Sequence, residues 1–290
     1  MPIKSVTYLL EAQSIDMGGF PVKQAFPTQN IQQIDPFLLL HHASAKFSSH
    51  RPAKSQGVGP HPHRGFSPVT FVVEGQVHHR DSRGNSQIAG TGEVQWMHAG
   101  MGIVHSERPS EELAQSRGRQ EIVQLWINSP AAHKMEKPEY WYLSREDMPV
   151  ILSEDQKVQT KLIAGEYAGQ MGKIPPKSPL LVMWGQAETG GHASLTIPQD
   201  FNSMLYLIKG NMRLVTYGLV DPEHLMVFGM EGDQIEMEFH SEAQFLLLCG
   251  KAIEEEVSRY GPYVMNNQTE ILEAMRDYQM GKMGILIEEE

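Results

Sequence analysis

The chain has 290 residues, enough for about two domains; its 40% hydrophobic residues, 26 Gly and 18 Pro suit a turn-rich β protein better than a helical bundle. Its 24 Lys plus Arg against 35 Asp plus Glu give a formal net charge of -11, which argues against direct, sequence-independent binding of nucleic acid. A protein that itself holds DNA is not excluded as a partner. No apolar run is long enough to span a bilayer, and the first residues lack the long apolar core and cleavage pattern of a signal peptide, so a cytoplasmic protein is expected.

Residues 5–10 and 18–24 read as N-terminal strands, and residues 37–40 as a short buried strand ended by His41 and His42. Residues 43–58 are polar and read as a loop that could border a pocket mouth. The stretch 57–107 then organises the rest. It opens with G-V-G-P-H-P-H-R-G and closes with H-A-G-M-G-I-V-H-S-E, so His61 and His63 form one pair and His105 and Glu107 another. Side chains at i and i+2 of a strand point to one face, and two such strands side by side would aim four ligands at one point. Between the pairs, residues 69–73 are β-branched or aromatic, and Gly-rich turns fall at 74–75, 81–85 and 90–92. Such spacing suggests an antiparallel sandwich or barrel. Ordinary strand histidines and a surface glutamate are the competing reading, but two spaced pairs beside glycines favour a metal. Three imidazoles and one carboxylate suit Fe(II), Mn, Ni, Cu or Zn. Gly100 and Gly102 would let the backbone bend close to that metal, and Pro60 and Pro62 would stiffen the approach of the first pair.

Residues 109–119 read as a loop, 121–128 as the strand that closes the first barrel, and 129–149 as a connection with a strand at 139–143. The expected division is residues 1–140 and 141–290. The second half repeats the first: residues 66–75 align with 201–210, Gly92-Glu93 with Gly232-Asp233, and 122–127 with 245–248. It lacks the ligands, because Thr196-Ile197-Pro198 stands where the first pair would be and His240-Ser241-Glu242 reads as a turn. The single cysteine, Cys249, lies in F-L-L-L-C-G and reads as a buried core residue; no intramolecular disulfide can form, which fits a reducing compartment. Thr269-Glu270 would cap a helix running to Met280, with Ile271, Leu272, Met275 and Tyr278 as its apolar stripe and Gly281 as its C-cap. The expected fold is all-β: a bicupin of two tandem antiparallel barrels with a short C-terminal helix.

H-P-H-R-G-F, H-R-D-S-x-G and G-E-V-Q-W-M-x-A-G-x-G-I-V-H-S-E, with G-P-Y-V-M-N and the tail D-Y-Q-x-G-K-x-G, resemble the pirin family over nearly the whole chain. That resemblance implies that His61, His63, His105 and Glu107 ligate one metal, Fe(II) foremost. Some pirins resemble quercetin 2,3-dioxygenases in activity. In that reading a flavonol and O₂ are the substrates, Glu107 takes the 3-hydroxyl proton, and CO is released. Other pirins are implied to be iron-dependent regulators that bind a transcription factor or a metabolic enzyme, and this is the alternative. Two positions depart from the family pattern: Ser67 where an acidic residue is common, and His98 where a small hydroxyl is common.

Overall fold

The computed structural model of the chain describes residues 2–17 and 21–288, so residues 18–20 of the second expected strand lie outside the described residues. Antiparallel strands dominate, as expected. The chain divides into two compact units, each assembled from separated stretches. One takes residues 15–22, 37–145 and 253–290; the other takes 1–14, 23–36 and 146–252. The chain thus passes between units at 145/146, and the C-terminal segment belongs with His61 and His105.

In the unit that holds the histidines, one sheet places Glu139–Leu143, Val94–His98, Phe66–Glu74, Arg119–Asn128 and Phe37–Lys46 side by side. A second sheet runs Val58–His63, Ile103–Arg108, Gln76–Asp81, Ser86–Gly90. Phe66–Glu74 is buried along its length up to Glu74. Its Val69, Phe71 and Val72 are fully buried, each contributing about 1.5–3 kcal/mol of apolar burial. Phe37–Lys46 is longer than the expected strand and takes in part of the expected loop at 43–58. It pairs with Arg119–Asn128 as far as Lys46, so His41 and His42 lie in mid-strand. The expected loop at 109–119 contains a short helix, Glu111–Gln115, capped by the Ser110 hydroxyl, which accepts from Leu113 N at 3.0 Å.

The C-terminal helix is Gln268–Gln279, and its cap is Asn267 rather than Thr269: Asn267 Oδ1 accepts from Glu270 N at 3.0 Å. Ile271 and Ala274 are its buried residues, packed with Tyr263, Met265 and Met283. Leu272, expected in the stripe, is 64% exposed, because only a narrow i, i+3 face meets the core. Gly281 follows with φ +73, the left-handed residue that ends the helix.

The other unit repeats the same sheet order. Phe201–Lys209 lies between His224–Phe228 and Ala243–Lys251, as Phe66–Glu74 lies between Val94–His98 and Arg119–Asn128. The strand-ending glycines repeat too: Gly75 has φ +81 and Gly210 φ +84, and an added Cβ would fall 2.3 Å from Arg119 O and 2.2 Å from Glu242 O. Neither turn tolerates another residue type without moving backbone. In this unit His192–Thr196 and Gln234–Phe239 hold the places of Val58–His63 and Ile103–Arg108. Their buried residues are Ala193, Leu195, Ile235, Met237 and Phe239, all part of one apolar core. His240 to Glu242 form a bend between strands, as expected, and Cys249 is buried in the core, its thiol pushed up by burial.

Candidate metal centre

Val58–His63 and Ile103–Arg108 are antiparallel neighbours, with His61 opposite His105 and His63 opposite Ile103. The pairing breaks register between His105 and Glu107, so Glu107 stands opposite Val58. The extra residue lies on Val58–His63, between Val58 and His61, while Ile103–Arg108 keeps regular register with Gln76–Asp81. The ligand nitrogens of His61, His63 and His105 lie within 4.8 Å of one another. Glu107 is not part of that cluster. Its Oε1 accepts from Thr70 Oγ1 at 2.9 Å and its Oε2 from Gln124 Nε2 at 2.9 Å. Each oxygen keeps a second lone pair, so these bonds orient the carboxylate without using it up.

The hydrogen positions of the three rings follow from their partners. His61 Nδ1 lies 2.8 Å from Gly59 O and His63 Nδ1 3.4 Å from Pro262 O. A carbonyl oxygen only accepts, so both Nδ1 atoms carry the proton and both Nε2 atoms are bare. Those two Nε2 atoms are 3.1 Å apart, lone pair towards lone pair, an arrangement that a cation would stabilise. His105 Nε2 is buried with no hydrogen-bond partner, which ordinarily costs about 1–3 kcal/mol. An ion held by the three nitrogens satisfies all of these atoms together. Burial, reinforced by the neighbouring imidazoles, keeps His63 and His105 well below the ordinary histidine range, in the neutral form that binds metal.

The wall beside the histidines is built from alternation on the larger sheet. Trp126 packs edge-on to His63 with centroids 5.3 Å apart, and Phe66 does so at 5.1 Å. Two residues along the strand from Trp126, Gln124 stands opposite both Thr70 and His41. Cross-strand neighbours share a face, so His41 lies on the face that holds Glu107, and burial lowers it to about 4. His42 takes the other face, where its Nε2 meets Glu121 Oε1 at 2.9 Å. Arg64 holds structure rather than a ligand: its Nε donates to Met101 O at 2.6 Å and its guanidinium reaches Asp277 Oδ2 at 3.1 Å.

Sequence reasoning did not assign Thr70, Gln124, His79, Asp81 or Pro262 to the site. His79 Nδ1 is 3.3 Å from His105 Nδ1, and His79 Nε2 is 3.0 Å from Asp81 Oδ2. The His-x-Asp spacing of that pair on Gln76–Asp81 was the available signal. Burial works against the charge on Asp81, but donors from His79 and Asn85 outweigh it and hold the carboxyl below its usual range.

Two antiparallel barrels in one chain, one with converging imidazoles and one with an apolar interior, define a bicupin. The family model for pirin matches residues 19–127, and that for the pirin C-terminal cupin domain matches residues 182–284. The chain belongs to the pirin family. It is 36% identical to a Pseudomonas aeruginosa protein that carries a provisional quercetin 2,3-dioxygenase name, over 91% of this chain and 92% of that one. It is 32% identical to human pirin over 97% of this chain and 94% of that one. The crystal structure of a quercetin 2,3-dioxygenase from Acinetobacter baumannii matches it with a TM-score of 0.90 at 34% identity, covering 99% of this chain and all of that one. An Escherichia coli pirin in complex with nickel(II) shares the fold, with a TM-score of 0.68 at 18% identity over 84% of this chain and 99% of that one.

Proposed function

We propose that the chain holds one divalent transition metal on His61, His63 and His105, with Glu107 as the carboxylate of the site, and opens the ring of a flavonol or similar enol as a quercetin 2,3-dioxygenase does. The observation that carries this reading is the convergence of three imidazoles, with the Nε2 atoms of His61 and His63 bare and that of His105 buried without a partner. The likeness to the Acinetobacter baumannii enzyme supports the substrate class. When bound, the metal, Fe(II) foremost, supplies a Lewis-acid centre for the paired enol and keto oxygens and access to O₂ chemistry.

The protein's own part is proton handling and positioning. Glu107, fixed by Thr70 and Gln124, takes the 3-hydroxyl proton on a carboxylate oxygen. The Thr70 hydroxyl can rotate from donor to acceptor, so a protonated Glu107 keeps its partner. Trp126 and Phe66 brace His63 from the wall and limit water around it.

The test compares wild type with Glu107→Gln, both loaded with Fe(II) to equal occupancy, in quercetin consumption and CO release under air. Glutamine retains an oxygen donor but cannot take a proton, so turnover should fall about 10²–10⁴-fold with metal content preserved. A wild type loaded with Fe, Mn, Ni or Cu that consumes no quercetin and releases no CO contradicts the enzymatic reading, and metal-dependent binding of a protein partner becomes the role to test. Full turnover in the variant removes Glu107 as the base.

A further inference from the structure

We propose that His79, backed by Asp81, is a positioning residue that locks His105 in the tautomer whose bare Nε2 faces His61 and His63. The inference rests on the three-histidine metal reading, and it concerns side chains outside that set.

Proton accounting carries it. Asp81 Oδ1 accepts from Arg83 N at 2.8 Å and Asn85 N at 3.1 Å, and Oδ2 accepts from Asn85 Nδ2 at 2.8 Å. A carboxylate surrounded by donors is an acceptor, so the proton between it and His79 sits on His79 Nε2. A His79 ring that carries this single proton has a bare Nδ1. That atom faces His105 Nδ1 at 3.3 Å, and only His105 can supply the proton between them. His105 therefore carries its proton on Nδ1 and presents Nε2 bare. The register of the strands makes the chain of contacts continuous, because His105 stands opposite Asp81 and Glu107 opposite His79. The His79 ring is 2% exposed as a residue and stacks on Tyr140 with centroids 4.2 Å apart and planes 15° apart, so it has little freedom to turn.

This ligand differs in kind from the other two. His61 and His63 are oriented by backbone carbonyls, which no substitution at those positions can convert into donors. His105 is oriented by side chains, so its tautomer is set by the identity of residues 79 and 81. Partners of this type oriented towards a ligand ring typically contribute 10–100-fold in metal affinity.

Asp81→Asn is the discriminating variant. The amide oxygen is claimed by the two backbone N–H groups at Oδ1, which puts the amide nitrogen towards His79, with the Asn85 amide turned over to offer it an oxygen. His79 Nε2 must then accept, its Nδ1 must donate, and His105 is driven to carry its proton on Nε2, where it blocks metal. His79→Phe keeps the stack on Tyr140 and removes the relay. The experiment reads histidine tautomers in the ¹⁵N-labelled, metal-free protein by long-range ¹H–¹⁵N correlation, and Co(II) affinity by visible absorption against a competing chelator. The wild type should place the His105 proton on Nδ1 and bind Co(II). Asp81→Asn should move that proton to Nε2 and weaken Co(II) 10–100-fold. His79→Phe should weaken Co(II) comparably, and if it fails to fold, Asp81→Asn carries the test alone. Folded Asp81→Asn with the wild-type tautomer and affinity overturns the proposal. A wild type with a bare His105 Nε2 that takes no Co(II) bears out the relay and overturns the metal reading instead.

Discussion

Ser67 Oγ and His98 Nδ1 lie 3.3 Å apart in the buried interior of the histidine-bearing unit, so the two positions read from the sequence as departures from the pirin pattern are hydrogen-bond partners of each other. His98 Nε2 faces His133 O at 3.2 Å, which places the ring proton on Nε2 and leaves Nδ1 to accept. Ser67 can donate to it. An ionised carboxylate at 67 could not, and would demand an imidazolium at 98, so the two changes are chemically linked. Ser67→Ala and His98→Thr should each destabilise the protein by about 1–3 kcal/mol. A double-mutant cycle by urea unfolding should give a coupling of about 0.5–1.5 kcal/mol. Strict additivity would separate the two departures.

The C-terminal segment is fastened to the histidine-bearing barrel by buried and half-buried cations. Besides Arg64 with Asp277, Arg108 grips Glu288 through two bonds of 3.2 and 2.8 Å, and Lys134 Nζ donates to Gly65 O at 2.7 Å, Asn128 Oδ1 at 2.6 Å and Val264 O at 3.2 Å. Arg64→Ala removes the bonds to Met101 O and Asp277, which still keeps Lys282 at 2.8 Å, and should cost about 1–3 kcal/mol in chemical denaturation. It should also speed proteolytic cleavage beyond residue 253. An unchanged unfolding midpoint would mean that the apolar contacts of Ile271, Ala274 and Met283 suffice.

Acid should destabilise the metal-free protein through His41. Burial lowers this group from the ordinary 6.5 to about 4 in the folded state. Between those values the unfolded chain binds a proton that the folded chain refuses. The stability present above pH 6.5 is therefore lost as pH falls towards 4, with an upper bound of about 3 kcal/mol for this group. Urea unfolding at pH 7.5, 6 and 5 should show that loss, and His41→Gln should reduce its slope. Parallel curves for the two proteins would assign the acid sensitivity elsewhere.

Much of this architecture can be read from residue patterns because it rests on local periodicity. The β-branched run at 69–73, the glycine at 75 and its echo at 210 specify strand and turn with no reference to the rest of the chain. The i and i+2 spacing likewise brings His61 and His63 to one face. What the sequence leaves open is register. Nothing local to Glu107 announces that it stays outside the histidine cluster, nor that Thr70 and Gln124 meet its two oxygens. His79 and Asp81 stood in a quoted motif, yet their role depends on lying opposite Glu107 and His105. Pro262 is 199 residues from the ring it orients, a contact that only the folded chain creates. The helix cap fell on Asn267 because Asn266 N also bonds Glu270 Oε2 at 2.9 Å, a reciprocal arrangement that Thr269 could not make.

On the proposed function, the imidazoles of His61, His63 and His105 together take a single metal ion. Protein purified without added metal, then loaded with Fe(II), should be crystallised and its anomalous signal measured at the iron edge, beside elemental analysis of the same sample. The account predicts one ion per chain, seated among His61, His63 and His105, no ion in the unit that contains residues 146–252, and an empty site in His105→Ala. An ion beside His240, or a wild type that stays metal-free after loading with Fe, Mn, Ni, Cu and Zn in turn, would contradict it.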